Sequence, residues 1–174
     1  MQKTVVCPGS FDPVTLGHLD IIRRTASIFD KVIVVVMTNY RKKNLNYFTA
    51  EERADFIRRC TVDLPNVTVD FSDGLLADYV KKVGACAIVK GLRAVSDFED
   101  EFQQALTNKS LAPEVETVFI TTSSEYMFLS SSAVKQVCEL GGDISKFVSP
   151  QIREDIVSRI HARVQSEKQH GESK

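Results

Sequence analysis

A turn near the amino terminus holds the residues best suited to chemistry. Residues 8–18 read PGSFDPVTLGH, and they follow an apolar run at residues 4–7 that predicts a buried strand. Apolar side chains at helical spacing continue over residues 19–29, so the turn joins a strand to a helix. A helix N-terminus carries free N–H groups and the positive end of the helix dipole. We therefore expect an anion to bind here, with Thr15 as the N-cap and His18 beside the anion.

Two side chains of this turn are candidates for contact with a substrate. His18 is expected to be neutral beside the helix dipole, and a neutral imidazole can donate one N–H to a phosphoryl oxygen. Ser10 lacks the G-x-S-x-G context of a hydrolase nucleophile, so we interpret it as a hydroxyl that hydrogen-bonds a phosphate. The other histidines, His161 and His170, fall in the last predicted helix and the tail, where solvent exposure is the simpler interpretation.

Basic residues follow the second predicted strand. Lys42 and Lys43 lie in a polar loop after the run KVIVVVM at residues 31–37. From composition alone, a solvated surface explains two lysines about as well as a binding site does. The loop shares a sheet edge with the turn after the first strand, and this position favours phosphate binding by a mobile lysine charge.

The segment KGLR at residues 90–93 places two cations around a glycine at the end of the fourth predicted strand. Gly91 permits close approach of a ligand to the backbone, which favours contact with a phosphate or a nucleotide. An ion pair from Arg93 to Asp97 or Glu101 on the next helix is the structural alternative. The acidic cluster of Asp97, Glu99, Asp100 and Glu101 is otherwise a solvated face and a charge preference of a helix N-terminus, from which one member could reach a ribose hydroxyl.

A fourth polar group precedes the fifth predicted helix. Residues 126–132 read YMFLSSS and end in three serines. Capping of the helix by one serine is the simplest interpretation, but it does not require three hydroxyls. Clustered hydroxyls beside free N–H groups are typical of a second anion site, suited to the outer phosphates of a nucleotide.

Five predicted strands alternate with helices. This pattern predicts an α/β fold with a doubly wound, Rossmann-like parallel sheet, helices on both faces and a C-terminal helix. The order 3-2-1-4-5 makes the first and fourth strands neighbours, so their loops flank the switch point where ligands bind. His18 and residues 90–93 would then share one pocket. On the fourth helix, Phe98, Phe102, Ala105 and Leu106 have the spacing of core residues.

We expect one domain over residues 1–164, followed by a polar tail over residues 165–174 that frays. The second helix is predicted to begin after a Thr49 cap and to end near Leu64. The last helix is predicted over about residues 150–164, and it precedes the tail directly.

Composition limits the class of protein. The chain has 174 residues with a net charge of −1, so no basic excess points to nucleic acid. No apolar run approaches the roughly 20 residues that span a bilayer, and the first strand begins too early for a signal peptide. Four separated cysteines predict buried free thiols, and we expect a cytoplasmic protein. The chain lacks G-x-G-x-x-G after the first strand and a P-loop motif, which disfavours dinucleotide reduction and P-loop hydrolysis.

The GSFDP run followed by Leu16, Gly17 and His18 resembles the (T/H)xGH signature of the nucleotidyltransferase superfamily. Most of the chain, to about Val164, resembles the bacterial phosphopantetheine adenylyltransferase family. The resemblance implies transfer of the adenylyl group of ATP to 4′-phosphopantetheine, with dephospho-coenzyme A and pyrophosphate as products, in coenzyme A biosynthesis. It also implies Mg²⁺ as a cofactor, a homohexamer, and coenzyme A as a feedback inhibitor.

The resemblance also assigns site residues, none of them as a metal ligand. It implies catalytic roles for His18, Lys42 and Arg93. Contact with 4′-phosphopantetheine is implied for Ser10, Lys42, Leu76 and Lys90. The implied ATP site comprises Ser10, Phe11, His18, Gly91, Leu92, Arg93, Glu101, Tyr126, Met127, Phe128, Leu129, Ser130, Ser131 and Ser132.

Three positions depart from the family pattern. Lys90 stands where arginine is usual, Ser10 where threonine is frequent, and Leu129 where isoleucine is usual. Lysine keeps the charge but lacks the bidentate fork of arginine, so the affinity for the acceptor is expected to differ. Two alternatives remain: an adenylyltransferase with another acceptor, such as nicotinate mononucleotide, and a non-catalytic nucleotide or coenzyme A sensor on the same scaffold.

Overall fold

Five parallel strands form one sheet with helices on both faces. The computed structural model describes residues 3–38, 46–93 and 95–171. In chain order the elements are β1 (Thr4–Gly9), α1 (Leu16–Ile28), β2 (Lys31–Met37), α2 (Ala50–Cys60), β3 (Val67–Ser72), α3 (Leu76–Lys82), β4 (Ala87–Leu92), α4 (Val95–Leu111), β5 (Glu116–Thr121), a short 3-10 helix (Ser124–Tyr126), α5 (Ser131–Glu139) and α6 (Pro150–Gly171). The strand order is β3-β2-β1-β4-β5, as predicted.

The central strands β1 and β2 are buried on both faces, because helices cover each side of the sheet. Val5 and Val34 pack into one core with α1, α2, α5 and α6. Val6 and Val35 point the other way and pack into a second core with α3. Valine suits this double burial because its branched side chain packs well on a pleated surface. β3 alternates between half-buried and exposed residues, as predicted for an edge strand.

The boundary between β1 and β4 is where the sheet changes its winding direction. β1 pairs with β2 along its whole length, but with β4 only at Val5–Ala87 and Val6–Ile88. Beyond these two pairs the strands separate. A crevice therefore opens at the carboxyl ends of β1 and β4, as expected at a switch point.

Both predicted capping residues are correct. Thr15 caps α1 and Thr49 caps α2, each within a capping box. The predicted end of α2 near Leu64 was wrong, since the helix ends at Cys60. There the Thr61 N–H bonds the carbonyl three residues back and its hydroxyl bonds the carbonyl four residues back, which closes the last turn.

The last helix is longer than predicted. α6 continues past residue 164 to Gly171. Residues 165–170 contain no proline or glycine and include glutamine, glutamate and lysine, which favour a helix once one has started. Residues 172–174 lie outside the described part of the chain.

The predicted core position of three α4 side chains was wrong. Phe98 and Phe102 are each 46% exposed and Leu106 is 55% exposed. Their spacing does form an apolar stripe, but the stripe is exposed. The period of a pattern identifies a helix face, whereas what covers that face depends on tertiary packing.

The four cysteines are free thiols, and Cys7, Cys60 and Cys138 are buried as predicted. Cys86 is exposed, so the prediction was wrong at this position. It directly precedes β4, which begins at Ala87. No described helix combines the length and apolar composition that crossing a bilayer requires.

Candidate active site

A cavity of about 510 Å³ occupies the crevice between β1 and β4. Its walls come from the turn after β1, the start of α1, the end of β4, one side of α4 and the start of α5. The predicted site residues that line it are Ser10, Phe11, His18, Lys90, Gly91, Arg93, Glu101, Leu129, Ser130, Ser131 and Ser132. The topology therefore brings residues from distant parts of the sequence to one place.

Other predicted site residues lie elsewhere. The residues that do not line this cavity are Leu76, Leu92, Tyr126, Met127 and Phe128. Tyr126 instead lines a second cavity of about 410 Å³ on the other side of α1. The Phe128 ring is 86% exposed. Lys42 lies outside the described residues, so its role stays a prediction.

A capping box at the start of α1 fixes the orientation of His18. The Thr15 hydroxyl accepts from the His18 N–H, and His18 Nδ1 accepts from the Thr15 N–H at 3.0 Å. Because Nδ1 is the acceptor, the proton of a neutral ring resides on Nε2. The ring also meets the edge of the Phe11 ring, with centroids 5.2 Å apart. The backbone of α1 thus selects the tautomer of the histidine.

His18 is neutral at pH 7. Burial, and to a smaller extent the positive charge of Arg93, together lower its pKa to about 4. A neutral ring keeps Nδ1 as an acceptor for the cap and leaves Nε2–H as the donor. This agrees with the neutral imidazole predicted from the helix dipole.

Two glycines of the site contact protein side chains. A Cβ added at Gly91 would lie 2.9 Å from Cγ1 of Ile21, so this glycine lets α1 pack closely on β4. A Cβ at Gly17 would lie 3.2 Å from Cβ of Tyr126. Gly91 was predicted to admit a ligand to the backbone, but in the structure Ile21 occupies the space beside it.

Lys90 is paired within the protein. Its ammonium group lies against the Glu101 carboxylate and donates to Oε1 of Gln104 at 2.8 Å. The Lys90 side chain is only 10% exposed. Glu101 was one of two carboxylates predicted as partners for Arg93, and it pairs with Lys90 instead.

Arg93 and two serines connect the elements around the cavity. The Arg93 guanidinium donates to the Leu129 carbonyl at 2.8 Å, which joins the end of β4 to the segment before α5. Ser130 caps α5 by accepting a backbone N–H at 3.1 Å. The Ser131 hydroxyl donates to the carbonyl of Pro13 at 2.8 Å. Simple capping thus explains one hydroxyl, and a second holds the turn after β1.

A buried carboxylate below the cavity was missed by the sequence interpretation. Asp12 is 4% exposed and accepts from the backbone N–H groups of Tyr47 and Phe48, both at 3.1 Å. It also pairs with the Lys135 ammonium at 3.0 Å. The only sequence signal is an aspartate between Phe11 and a proline, which is also common in solvated turns.

Comparison with known proteins agrees with this geometry. The family model described as Cytidylyltransferase-like matches residues 6–137. A phosphopantetheine adenylyltransferase from Caldanaerobacter subterraneus subsp. tengcongensis is 52% identical over 158 residues, which are 91% of this chain and 98% of that protein. Another from Clostridium perfringens strain SM101 is 54% identical over 159 residues, which are 91% of this chain and 96% of that protein.

Solved structures share the fold at lower identity. A Vibrio parahaemolyticus protein, assigned provisionally as a nicotinate-nucleotide adenylyltransferase, has a TM-score of 0.57 at 18% identity. The match covers 90% of this chain and 99% of that protein, and at this identity it shows the fold alone. The near-complete matches at more than half identity show more: the chain belongs to the phosphopantetheine adenylyltransferase family and is a nucleotidyltransferase.

Proposed function

We propose that the chain transfers the adenylyl group of ATP to 4′-phosphopantetheine, which yields dephospho-coenzyme A and pyrophosphate. Its relatives carry the name of this activity. The observation that carries the proposal is the common cavity lined by His18, Lys90 and Arg93. A neutral N–H donor and two cations at one crevice suit a reaction between two phosphate groups.

The reaction requires no covalent help from the protein. A phosphate oxygen of the acceptor attacks the α-phosphorus of ATP and forms a new P–O bond. The bond from that phosphorus to the bridging oxygen breaks, and pyrophosphate leaves. A phosphate dianion is already a nucleophile, so no side chain needs to remove a proton. The protein has to align two anions that repel each other and to stabilise the charge of the transferring group.

The side chains of the cavity divide this work. His18 donates its Nε2 proton to an oxygen of the transferring phosphate. Arg93 adds a positive charge close enough to His18 to lower the pKa of the imidazole, so this charge also acts on the transferring phosphate. The hydroxyl of Ser10 bonds a phosphate oxygen, and the N-termini of α1 and α5 attract the remaining charge. Lys42 holds the acceptor phosphate, a role that rests on the family resemblance.

Lys90 changes its partner during binding. In the structure its charge is balanced by Glu101. The acceptor phosphate brings up to two negative charges, so it competes well for the ammonium group. Glu101 is then released to accept a hydrogen bond from a ribose hydroxyl of ATP. This exchange links the two substrates without a new cation.

We propose that Mg²⁺ is held mainly by the phosphates of ATP, as this ion commonly is. The described residues include no group of three or more His, Cys, Asp or Glu that could hold a metal. The carboxylates that line the cavity are Asp100 and Glu101. This donor set suits an ion that arrives with the nucleotide, where it neutralises phosphate charge.

The exposed stripe of α4 supports self-association. The rings of Phe98 and Phe102 stack with centroids 5.5 Å apart, and Leu106 extends the stripe by one turn. A contiguous apolar face of this kind favours burial against another copy of the chain. The family resemblance implies that six copies assemble into a homohexamer. It also gives a cytoplasmic location and inhibition by coenzyme A, which contains parts of both substrates and competes for the same cavity.

Pyrophosphate release from ATP tests the proposal. Purified protein should form pyrophosphate when 4′-phosphopantetheine is present, and background amounts when it is absent. Release with nicotinate mononucleotide instead would identify the alternative acceptor. Tight binding of ATP or coenzyme A with no release for either acceptor would identify a sensor.

A further inference from the structure

Arg53 is a buried arginine below the cavity that the proposed mechanism does not use. It lies on the inner face of α2 and is 2% exposed. Its Nη1 donates to the Ser10 carbonyl at 2.6 Å, and its Nε donates to the Thr49 carbonyl at 3.2 Å. Within the described residues these two backbone oxygens are its hydrogen-bond acceptors. Burial of a charged group is costly, so this arrangement needs a reason.

The bond to Ser10 fixes one peptide plane of the turn after β1. The C=O and N–H of a trans peptide point in opposite directions within one plane. Since the Ser10 oxygen faces Arg53, the N–H of Phe11 faces away from it. Ser10 and Phe11 line the cavity, whereas Arg53 does not. No hydrogen bond from a described residue occupies the Phe11 N–H.

The backbone of Phe11 needs support from its surroundings. Its φ of +48° lies in the left-handed region, which residues other than glycine and asparagine rarely adopt. The ring is held against Gly9, where an added Cβ would lie 2.7 Å from Cζ of Phe11. Residues in such conformations persist where the structure over-determines them, and they cluster at ligand sites.

The charges around this turn are also unequal. Asp12 pairs with Lys135, and its charge favours the cationic form of Arg53, while burial lowers the pKa of the guanidinium. Two cations therefore face one carboxylate beneath the turn. The excess positive charge lies behind the peptide whose N–H points to the cavity, where it favours a bound anion.

We infer that Arg53 is a positioning residue: by holding the Ser10 carbonyl, it aims the Phe11 N–H into the cavity as a preorganised donor to a phosphate of the nucleotide. The inference rests on the proposed function for the identity of that nucleotide. A charged donor on the carbonyl also polarises the peptide and strengthens its N–H as a donor. Arg53 touches no substrate and acts through one peptide plane.

Amide spectroscopy tests the geometry. Labelling with ¹⁵N-phenylalanine leaves ten amide signals, and a Phe11→Leu variant identifies the one from Phe11. Addition of ATP without the acceptor should shift the Phe11 signal of the parent protein. In Arg53→Lys the shift should fall to about half or less, because lysine lacks the planar fork that reaches both carbonyls.

Kinetics tests the consequence. Arg53→Lys should lower kcat about tenfold or more while the KM for ATP changes less than about threefold. Arg59→Lys is the matched control, since Arg59 lies on the same helix and contacts the Asp155 carboxylate and the Gln151 carbonyl instead. It should keep kcat within about twofold. Urea unfolding of both variants shows whether a change in kcat follows a change in stability.

Three results would overturn the inference: a Phe11 signal that ATP does not move, a kcat of Arg53→Lys equal to that of the parent protein, or equal losses in Arg53→Lys and Arg59→Lys. If Arg53→Lys does not fold, the Phe11 signal of the parent protein still decides. The proposed function fails separately, through absent pyrophosphate release. The amide experiment needs only ATP, so it remains decisive in that case.

Discussion

Replacement of His18 by glutamine separates two roles that one imidazole performs. Nδ1 accepts from the Thr15 N–H and completes the cap of α1, while Nε2–H is the proposed donor to the transferring phosphate. Glutamine at this helix position is a normal capping-box residue, because its carbonyl oxygen reaches back to the N-cap N–H. His18→Gln therefore keeps the cap and removes the donor. His18→Ala removes both.

The structure sets the size of each effect. Loss of one donor to a developing charge typically lowers kcat by about 10²–10³, or about 3–4 kcal/mol of transition-state stabilisation. Both variants should lose this much. Loss of a capping interaction typically lowers the free energy of unfolding by about 1 kcal/mol. Only His18→Ala should show that loss, and His18→Gln should stay within about 0.5 kcal/mol of the parent protein.

Pyrophosphate release and urea unfolding measure the two quantities on the same samples. Thr15→Ser is the matched control, because serine keeps the hydroxyl that caps the His18 N–H. It should retain most of the activity and stability. A kcat for His18→Gln within about threefold of the parent protein would remove Nε2 from the mechanism. An equal free energy of unfolding for the glutamine and alanine variants would show that the capping hydrogen bond does not stabilise the protein.

Further predictions concern charge and assembly. The pKa of His18 is lowered from 6.5 to about 4, so the unfolded chain binds a proton at this side chain more readily than the folded protein does. The free energy of unfolding should therefore fall by about 3 kcal/mol as the pH drops from 6.5 to below 4. Urea titrations should show a smaller fall in His18→Gln, and equal falls would contradict the assignment. Lys90→Met should raise the KM for 4′-phosphopantetheine about tenfold or more with a smaller effect on the KM for ATP; an unchanged acceptor KM refutes the role of Lys90. Asp12→Asn leaves the Lys135 ammonium without its counter-charge and should lower the free energy of unfolding by about 3 kcal/mol. An unchanged free energy of unfolding would show that the ion pair does not stabilise the protein. Phe102→Glu on the exposed stripe should reduce the sedimentation coefficient without a change in helical content, whereas unchanged sedimentation would place the contact between copies elsewhere.

The strand order could be predicted from the sequence because each strand is a short apolar run between helices with clear start signals. The Thr15 and Thr49 caps are local features, since four consecutive residues form each capping box. The convergence of His18 and Arg93 also followed from topology alone. Local patterns were sufficient wherever the decisive contacts lie within one turn or between adjacent strands.

The sequence failed where contacts are formed between distant segments. The stripe that includes Phe102 has the period of a core helix, and nothing in that period shows that its face is left uncovered. Asp12 and Arg53, which are buried, and Lys135, which is half-buried, come from three remote segments, and each alone resembles an ordinary surface residue. The partner of Lys90 was likewise unpredictable, because several acidic residues lie at similar distances along α4.

The two residue pairs that join β1 to β4 set the depth of the binding crevice. Residues 7–9 and 89–91 continue past these pairs without bridging the gap, and at about 3.3 Å per residue they form walls roughly 10 Å tall. A substitution that added one more residue pair between β1 and β4 would make the crevice shallower. The early end of this pairing therefore sets how much of a ligand the enzyme can enclose.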